Sequence, residues 1–383
     1  MNEHIVCAAA DTDERWKKHA DFVCDARDAR PVLQAAIDEA DRLNVNCVLL
    51  NGTYVINSRS ERTPKGGICF YNPVPPRKYY SQNQAKQHVL EGVKTPLGWY
   101  EGAVVTVGDE LYASLSDDEP FSLFFSAGND VFARGLIVRN LVVRLPGNQK
   151  PIVVFDGRFS SVVRYEDVWA TAFDPRDVDL RTAEGIPVPH AGSVAFRGCS
   201  GSNFYATEWK RCVAEGFGVG FDVGGEHVYC ESLSALYNIY GFRFDCYKGK
   251  IDIDDPDDRP AKGICMYPVT CVNLLDEHNV NMPRFGNASH NGNTQERHAQ
   301  SITIRGMNVQ WPNTCPGHTD YRASEFLDGR ERATEAQPGA WRGSVEYVTD
   351  HLDENGKCRL VDEPFFENGH GINVKTTNIH QVL

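Results

Sequence analysis

Four residues that each follow a phenylalanine raise a chemical question. Asp156 follows Phe155, Arg197 follows Phe196, Asp222 follows Phe221 and Asp245 follows Phe244. Carboxylates brought side by side raise the pKa of one partner, which leaves an acid beside a base. A separation of about 5 Å suits a retaining glycosidase and one of roughly 6.5–9.5 Å an inverting one. An arginine between two such groups holds a sugar hydroxyl or keeps a carboxylate ionised. Asp156, Asp222 and Asp245 are therefore the candidate catalytic residues, with Asp222 and Asp245 as the working pair. Candidate substrate contacts are Arg197, Arg243 and Tyr267, with two loop tryptophans, Trp99 in "PLGWYEG" and Trp341 in "PGAWRG", whose rings can stack on a sugar face. The same arrangement also describes a plain ion ladder, in which stacked Asp and Arg only relieve repulsion. Glu208 and Glu231 are a fallback pair of carboxylates.

These residues meet only if the chain stacks on itself. Phe196, Phe221 and Phe244 are 25 and 23 residues apart, and Met266 follows after 22. Two places before each lies an apolar residue: Val194, Val219, Phe242 and Ile264. This period-2 pattern predicts short strands with one buried face. Val153 and Phe155 extend the series backward once the polar loop 174–190 is set aside. A second series, "VVRYEDVW", "SNFYATEW" and "EHVYCESL", runs in step and places Trp169, Trp209 and Leu233 together in the core. A period in the low twenties with several strands per repeat predicts a solenoid, here an all-β parallel β-helix. Its layers would lie about 4.8 Å apart, with Asp156, Arg197, Asp222, Asp245 and Tyr267 in one outward column.

Composition narrows the partners. The net charge of −13 speaks against nucleic acid, which needs a basic surface, and more weakly against a strongly anionic polymer. No apolar run is long enough to span a bilayer, so no membrane partner is expected. The opening "MNEHIVCAAADTDERWKK" shows neither a basic nor a long apolar signal region, which implies a cytoplasmic protein. The twelve cysteines lack regular spacing and read as buried, reduced thiols. No metal or cofactor is implied. The acidic run "DIDDPDD" lacks the glycine and closing glutamate of a calcium loop, and His278, His290 and His298 lack helical ligand spacing.

The stretch "DARPVLQAAIDEADRLNVNCVLLNGTYVINS" predicts an amphipathic helix with Leu33, Ala36, Ile37 and Ala40 on one face, then two strands. Its pattern of Asp, a short helix with Ala-Ala-Ile, an apolar strand and Gly-Thr-Tyr resembles the opening of pectate-lyase-like right-handed parallel β-helix proteins. That group includes polygalacturonases, polysaccharide lyases, fructan-processing enzymes and phage tailspikes. The resemblance implies a single-stranded right-handed parallel β-helix with an N-terminal helical cap, and a homotrimer. The chain divides into cap and first coil (1–58), a long insertion (59–120) and the β-helix proper (121–383). The expected function is cleavage of glycosidic bonds in a mostly neutral oligo- or polysaccharide by a carboxylate pair. The alternatives are a polysaccharide lyase acting on a uronate through Arg197, Arg243 or Lys210, and a non-catalytic tailspike-like glycan binder. Gly369-His370-Gly371 and Lys375 echo a polygalacturonase motif, but the Arg is replaced by Asn373 and the preceding acidic motifs are missing.

Overall fold

The computed structural model describes residues 3–72, 86–96, 98, 100–128, 134–157, 160, 162–174, 176–178, 186–198, 207–223, 226–244, 267–277, 279, 284–285, 300–310, 341–349 and 372–378. Among them, the strands form a sixteen-stranded and a seven-stranded sheet. The two sheets exchange the chain. Phe121–Gly128 lies in the smaller sheet, Arg134–Arg144 in the larger, Ile152–Asp156 in the smaller and Val162–Thr171 in the larger. Each new strand pairs in parallel with the strand of the preceding pass. Order along the small sheet therefore follows the sequence, from Gly66–Asn72 through Val194–Arg197 and Val219–Asp222 to Tyr240–Phe244 and Arg284–Phe285.

Phenylalanine holds the layers in register. Phe70, Phe124, Phe155, Phe196, Phe221 and Phe242 stack face to face, with ring centroids 5.0–5.2 Å apart from Phe124 onward. That spacing is close to the strand separation of a sheet, about 4.7–4.9 Å. Burying each such side chain contributes about 1.5–3 kcal/mol. Tyr165 and Trp209, on the facing sheet, tilt against the same column.

Strict alternation fails in the small sheet. Val154 and Ala195 join the main core together with Phe155 and Phe196, while Val153, Val194, Val219 and Tyr240 form a separate cluster. Two consecutive residues thus face the interior, where strict alternation would turn Val154 and Ala195 outward.

The long strands of the large sheet bend at one position. Asn140, Asp167, Arg211, Ser232, Asn273 and Gly306 all have φ between 51° and 68°. They occupy equivalent places in successive passes, as the flanking pairs show. A left-handed residue for a single step turns the strand, at a cost of roughly 1–2 kcal/mol for a non-glycine residue. In the pass before Asn140, the corner widens into the segment 93–102, between the strands Lys86–Gly92 and Ala103–Val107. Gly92 must be glycine there, because a Cβ would lie 2.1 Å from the Asn140 carbonyl oxygen.

The stretch 59–120, expected as an insertion, supplies the strands Gly66–Asn72, Lys86–Gly92 and Ala103–Val107 and the short helix Asp109–Ser114. The strands pair in the sheets like the rest. Its Pro, Tyr and Lys content hid their alternation. The amphipathic helix is Arg30–Leu43, with Pro31 in its first turn and Asn44 as a left-handed C-cap. Leu33, Ala36, Ile37 and Ala40 are buried as predicted. Its Gln34 amide accepts from Cys69 N (2.8 Å) and donates to Cys69 O (2.7 Å), which satisfies the edge strand of the small sheet.

Candidate functional site

The column read from the sequence forms in part. Asp156 pairs in register with Arg197, and Arg197 with Asp222. The next partner of Asp222 is Arg243, because Phe221 stacks on Phe242. The Asp222–Asp245 pairing is therefore corrected: "FRF" offers two phenylalanines on one face, and the core takes the first. Phe244 instead pairs in backbone register with Phe285 of the next pass. Asp245 itself lies outside the described residues, as does Trp99. Tyr267 does not continue the column; it opens the strand Tyr267–Glu277 of the other sheet, opposite Glu226. Trp341 begins the strand Trp341–Thr349, opposite Gln300, and is not in a loop. Trp209 stacks between Tyr165 and Cys230, whereas Trp169 lies in the Val213 column and is half-buried, so the two tryptophans do not share a core column. Glu208 lies opposite Tyr229, and Glu231 opposite Lys210.

The column also differs from its expected setting. Asp156, Asp222 and Arg197 are 0%, 3% and 6% exposed. Ser122 Oγ donates to Asp156 Oδ2 (2.7 Å), and Arg197 Nη1 stands 3.9 Å from the same oxygen. Arg197 Nε donates to Asp222 Oδ2 (3.3 Å), while Arg243 donates twice to Asp222, at 2.9 and 2.5 Å. Burial by itself raises the Asp222 pKa, but the charges and hydrogen bonds of Arg243 and Arg197 outweigh it and hold the carboxyl below its ordinary value. The result is an alternating Asp–Arg–Asp–Arg stack with its polar atoms engaged. A catalytic carboxyl must reach its substrate, and these two are enclosed.

Open chemistry lies elsewhere, at the widened corner beside the first strands of the chain. A half-open cleft of about 520 Å³ is lined by Asp11, Asp13, Thr53, Lys94, Tyr100 and Glu101, among others. Three chain segments build it. The first is the turn after the strand His4–Ala8, tied down by Thr12, whose hydroxyl donates to Asn51 O (2.8 Å) and accepts from Ala9 N (3.0 Å). The second is the turn into the strand Gly52–Ile56, where Thr53 N donates to Asp11 Oδ1 (2.7 Å). Gly52 permits this approach, since a Cβ would sit 2.6 Å from that same oxygen. The third is the segment 93–102. Thr95 Oγ1 bonds Asn140 Oδ1 (3.1 Å), and Gly52 N donates to Gly102 O (3.0 Å).

The electrostatics of the cleft are mixed. Asp13 caps the helix Glu14–Lys17 and accepts from Arg15 through its backbone N (2.8 Å) and its guanidinium (2.7 Å). The guanidinium hydrogen bond brings the Asp13 pKa down to about 2, so this group is ionised throughout the neutral range. Tyr100 is 38% exposed and is held from below. Its hydroxyl donates to Asp174, and the guanidinium carbons of Arg144 and Arg176 lie 4.6 and 4.3 Å from its ring centre. Arg176, by hydrogen bonding, holds Asp174 well below the usual carboxylate range. Tyr100 thus fastens the segment 93–102 to residues from the next two passes of the chain.

None of the described residues singled out by the phenylalanine repeat lines this cleft. A usable signal was nevertheless present, because Tyr100 and Glu101 directly follow Trp99 in "PLGWYEG". Among the described residues, no group of three His, Cys, Asp or Glu side chains is placed to hold a metal ion. No protein-family model, curated protein or solved structure matches the chain.

Proposed function

We propose that the chain is a single-stranded right-handed parallel β-helix that binds a mostly neutral glycan in the cleft beside its N-terminal cap and cleaves its glycosidic bonds there. The helical path is supported by the alternation of the chain between two all-parallel sheets and by the unbroken phenylalanine stack. Right-handedness follows from the general rule for parallel crossovers.

The observation that carries the functional reading is the lining of the cleft. Carboxyl groups from two separate segments, Asp11 and Glu101, face one open space with hydroxyl and amide groups suited to sugar hydroxyls. In this reading one carboxyl protonates the leaving oxygen, and the other attacks the anomeric carbon or activates water. Asp13, ionised beside Arg15, stabilises the positive charge that develops on the sugar ring. Lys94 is a cation in the lining and supplies a hydrogen bond. Lyase chemistry on a uronate is less well served, because the lining holds more carboxylates than cations.

A glycan-panel digestion with mass detection tests this directly. New reducing ends identify hydrolysis, an unsaturated product identifies a lyase, and a cyclised product identifies a transferase. Asp11→Asn and Glu101→Gln should each lower turnover by about 10²–10⁴-fold, the usual contribution of general acid–base catalysis, with unchanged unfolding. Binding without any product would reduce the cleft to a recognition site, and neither binding nor product would end the reading.

A further inference from the structure

The N-terminal edge of the large sheet holds two thiols in contact. Cys7 lies on the strand His4–Ala8, and Cys24 directly follows the strand Phe22–Val23. Their Sγ atoms are 3.5 Å apart, and both side chains are buried. A disulfide has an S–S length of about 2.05 Å, so the gap to close is about 1.5 Å. We infer that Cys7 and Cys24 form a disulfide that staples the first strand to the segment behind it.

Access distinguishes this pair from a second pair of cysteines among the described residues. Among the described residues, Phe22–Val23 is the last strand of its sheet and pairs on one side only, through Cys7↔Phe22 and Ala8↔Val23. Val23 is 46% exposed. Two residue pairs at a sheet edge open at low cost, and their opening uncovers Cys24. Cys230 and Cys271 are the contrast. They are directly in register, but strands pair on both sides of them and both are fully buried. A hydrogen bond to Cys24 and burial push the Cys7 thiol far up, and the first of these causes is lost once Cys24 carries a mixed disulfide.

The chemistry balances with a small disulfide such as oxidised glutathione. The Cys24 thiolate, its proton passed to solvent, attacks one glutathione sulfur. The glutathione S–S bond breaks and one glutathione thiolate leaves with the electron pair. The Cys7 thiolate then attacks Cys24 Sγ, and the second glutathione thiolate leaves. Two protein thiols are oxidised to one disulfide, one glutathione disulfide is reduced to two thiols, and both protons end on those thiols. The closed ring runs from residue 7 to residue 24. It contains the turn that carries Asp11 and Asp13, so oxidation also stiffens one wall of the cleft described above.

The test uses the full chain in glutathione buffers of graded redox ratio. Samples are quenched with acid, alkylated after denaturation and mapped by peptide mass spectrometry. The expected product is a Cys7–Cys24 linked peptide, lighter by two hydrogens than its reduced parts and reversed by dithiothreitol. It should form while the peptides of Cys230 and Cys271 remain alkylated. In the oxidised protein, trypsin cleavage at Arg15, Lys17 and Lys18 should slow and the unfolding midpoint should rise. Cys24→Ser, or oxidised against reduced wild type if that variant fails to fold, should show no such difference in the first case and a clear one in the second. Three results would overturn the inference: both cysteines alkylated at every ratio, Cys24 joined to Cys47, or the interior pair oxidised first. Glycan activity does not enter these readouts, so the staple and the cleft stand or fall separately.

Discussion

The enclosed Asp156–Arg197–Asp222–Arg243 column and the open cleft at Asp11 and Glu101 are both rich in charge, yet they place it under opposite conditions. In the column, parallel registration brings equivalent residues of successive passes together, and alternating signs are the stable outcome. Every described carboxylate there meets a guanidinium or a hydroxyl, and water is excluded. In the cleft, the carboxylates come from unlike turns, and Asp11, Asp13 and Glu101 are exposed. Regular stacking of charge builds structure here, whereas room for a ligand arises where the regular corner is interrupted by 93–102.

The largest expected effect breaks the column. Asp222→Ala leaves Arg197 and Arg243 facing each other in a buried site, which should cost about 3–5 kcal/mol of unfolding free energy. Asp11→Ala, in the exposed cleft, removes a single acceptor for Thr53 N and should cost about 1 kcal/mol. Urea unfolding of the two variants measures the contrast; equal losses would show that the column is not the buried, mutually dependent unit its geometry describes. Acid adds a second measurement. The folded pKa of Asp222 lies below its ordinary value, so the stability it contributes is present above about pH 4 and fades as pH falls through the lower folded value. Asp222→Asn should flatten that acid limb.

Asp276 works in the other direction. It is buried beside Asn279, which donates to its Oδ1, while its Oδ2 has no hydrogen-bond partner among the described residues. Burial pushes its pKa up to about 7, against the opposing hydrogen bond from Asn279. The folded protein therefore binds a proton that the unfolded chain releases near pH 4, so stability falls as pH rises from about 4 to 7. Asp276→Asn should remove this slope. At pH 8 it should stabilise the fold by at most about 4 kcal/mol, the equivalent of roughly three pKa units. A wild-type unfolding midpoint that is flat across that range would rule out the penalty.

The cleft side of the comparison is sharpened by Tyr100→Phe. The ring stays between Arg144 and Arg176, but the hydrogen bond to Asp174 is lost. A bond of about 0.5–1.5 kcal/mol anchoring one wall predicts a rise in KM of up to about tenfold, with kcat retained. A fall in kcat at constant KM would instead place the hydroxyl in the chemistry.

Legibility from sequence follows the same division. The phenylalanine column was readable because stacking demands the same residue at a steady interval, and Asp156, Arg197 and Asp222 fell into register with it. The reading slipped at "FRF", where Phe242 and Phe244 have the same face parity and only packing decides between them. Tyr267 was misplaced because the residues between Phe244 and Tyr267 hid the change of sheet. Burial of the column was invisible, since alternation reports which face a residue takes but not what covers that face. The cleft was unreadable as a unit because its turns, 9–13, 51–53 and 93–102, share no motif; only proximity joins them.

The smallest effect separates backbone from charge at the repeated corner. Arg211 sits in the left-handed conformation (φ 51°) and forms exposed pairs at 2.7 Å with Glu166 and Asp167. Such pairs contribute about 0–1 kcal/mol each, so Arg211→Ala, which keeps the backbone strain, should lose no more than about 2 kcal/mol for the two pairs. Arg211→Gly loses the same pairs but also relieves a left-handed penalty of roughly 1–2 kcal/mol, against about 0.5–1 kcal/mol of added chain entropy in the unfolded state. Glycine should therefore match or exceed alanine at this position, although it is the worse residue in an ordinary strand. If alanine proves the more stable of the two, the corner is held by its charges and not by the backbone geometry that Asn140, Asp167, Ser232 and Asn273 share with it.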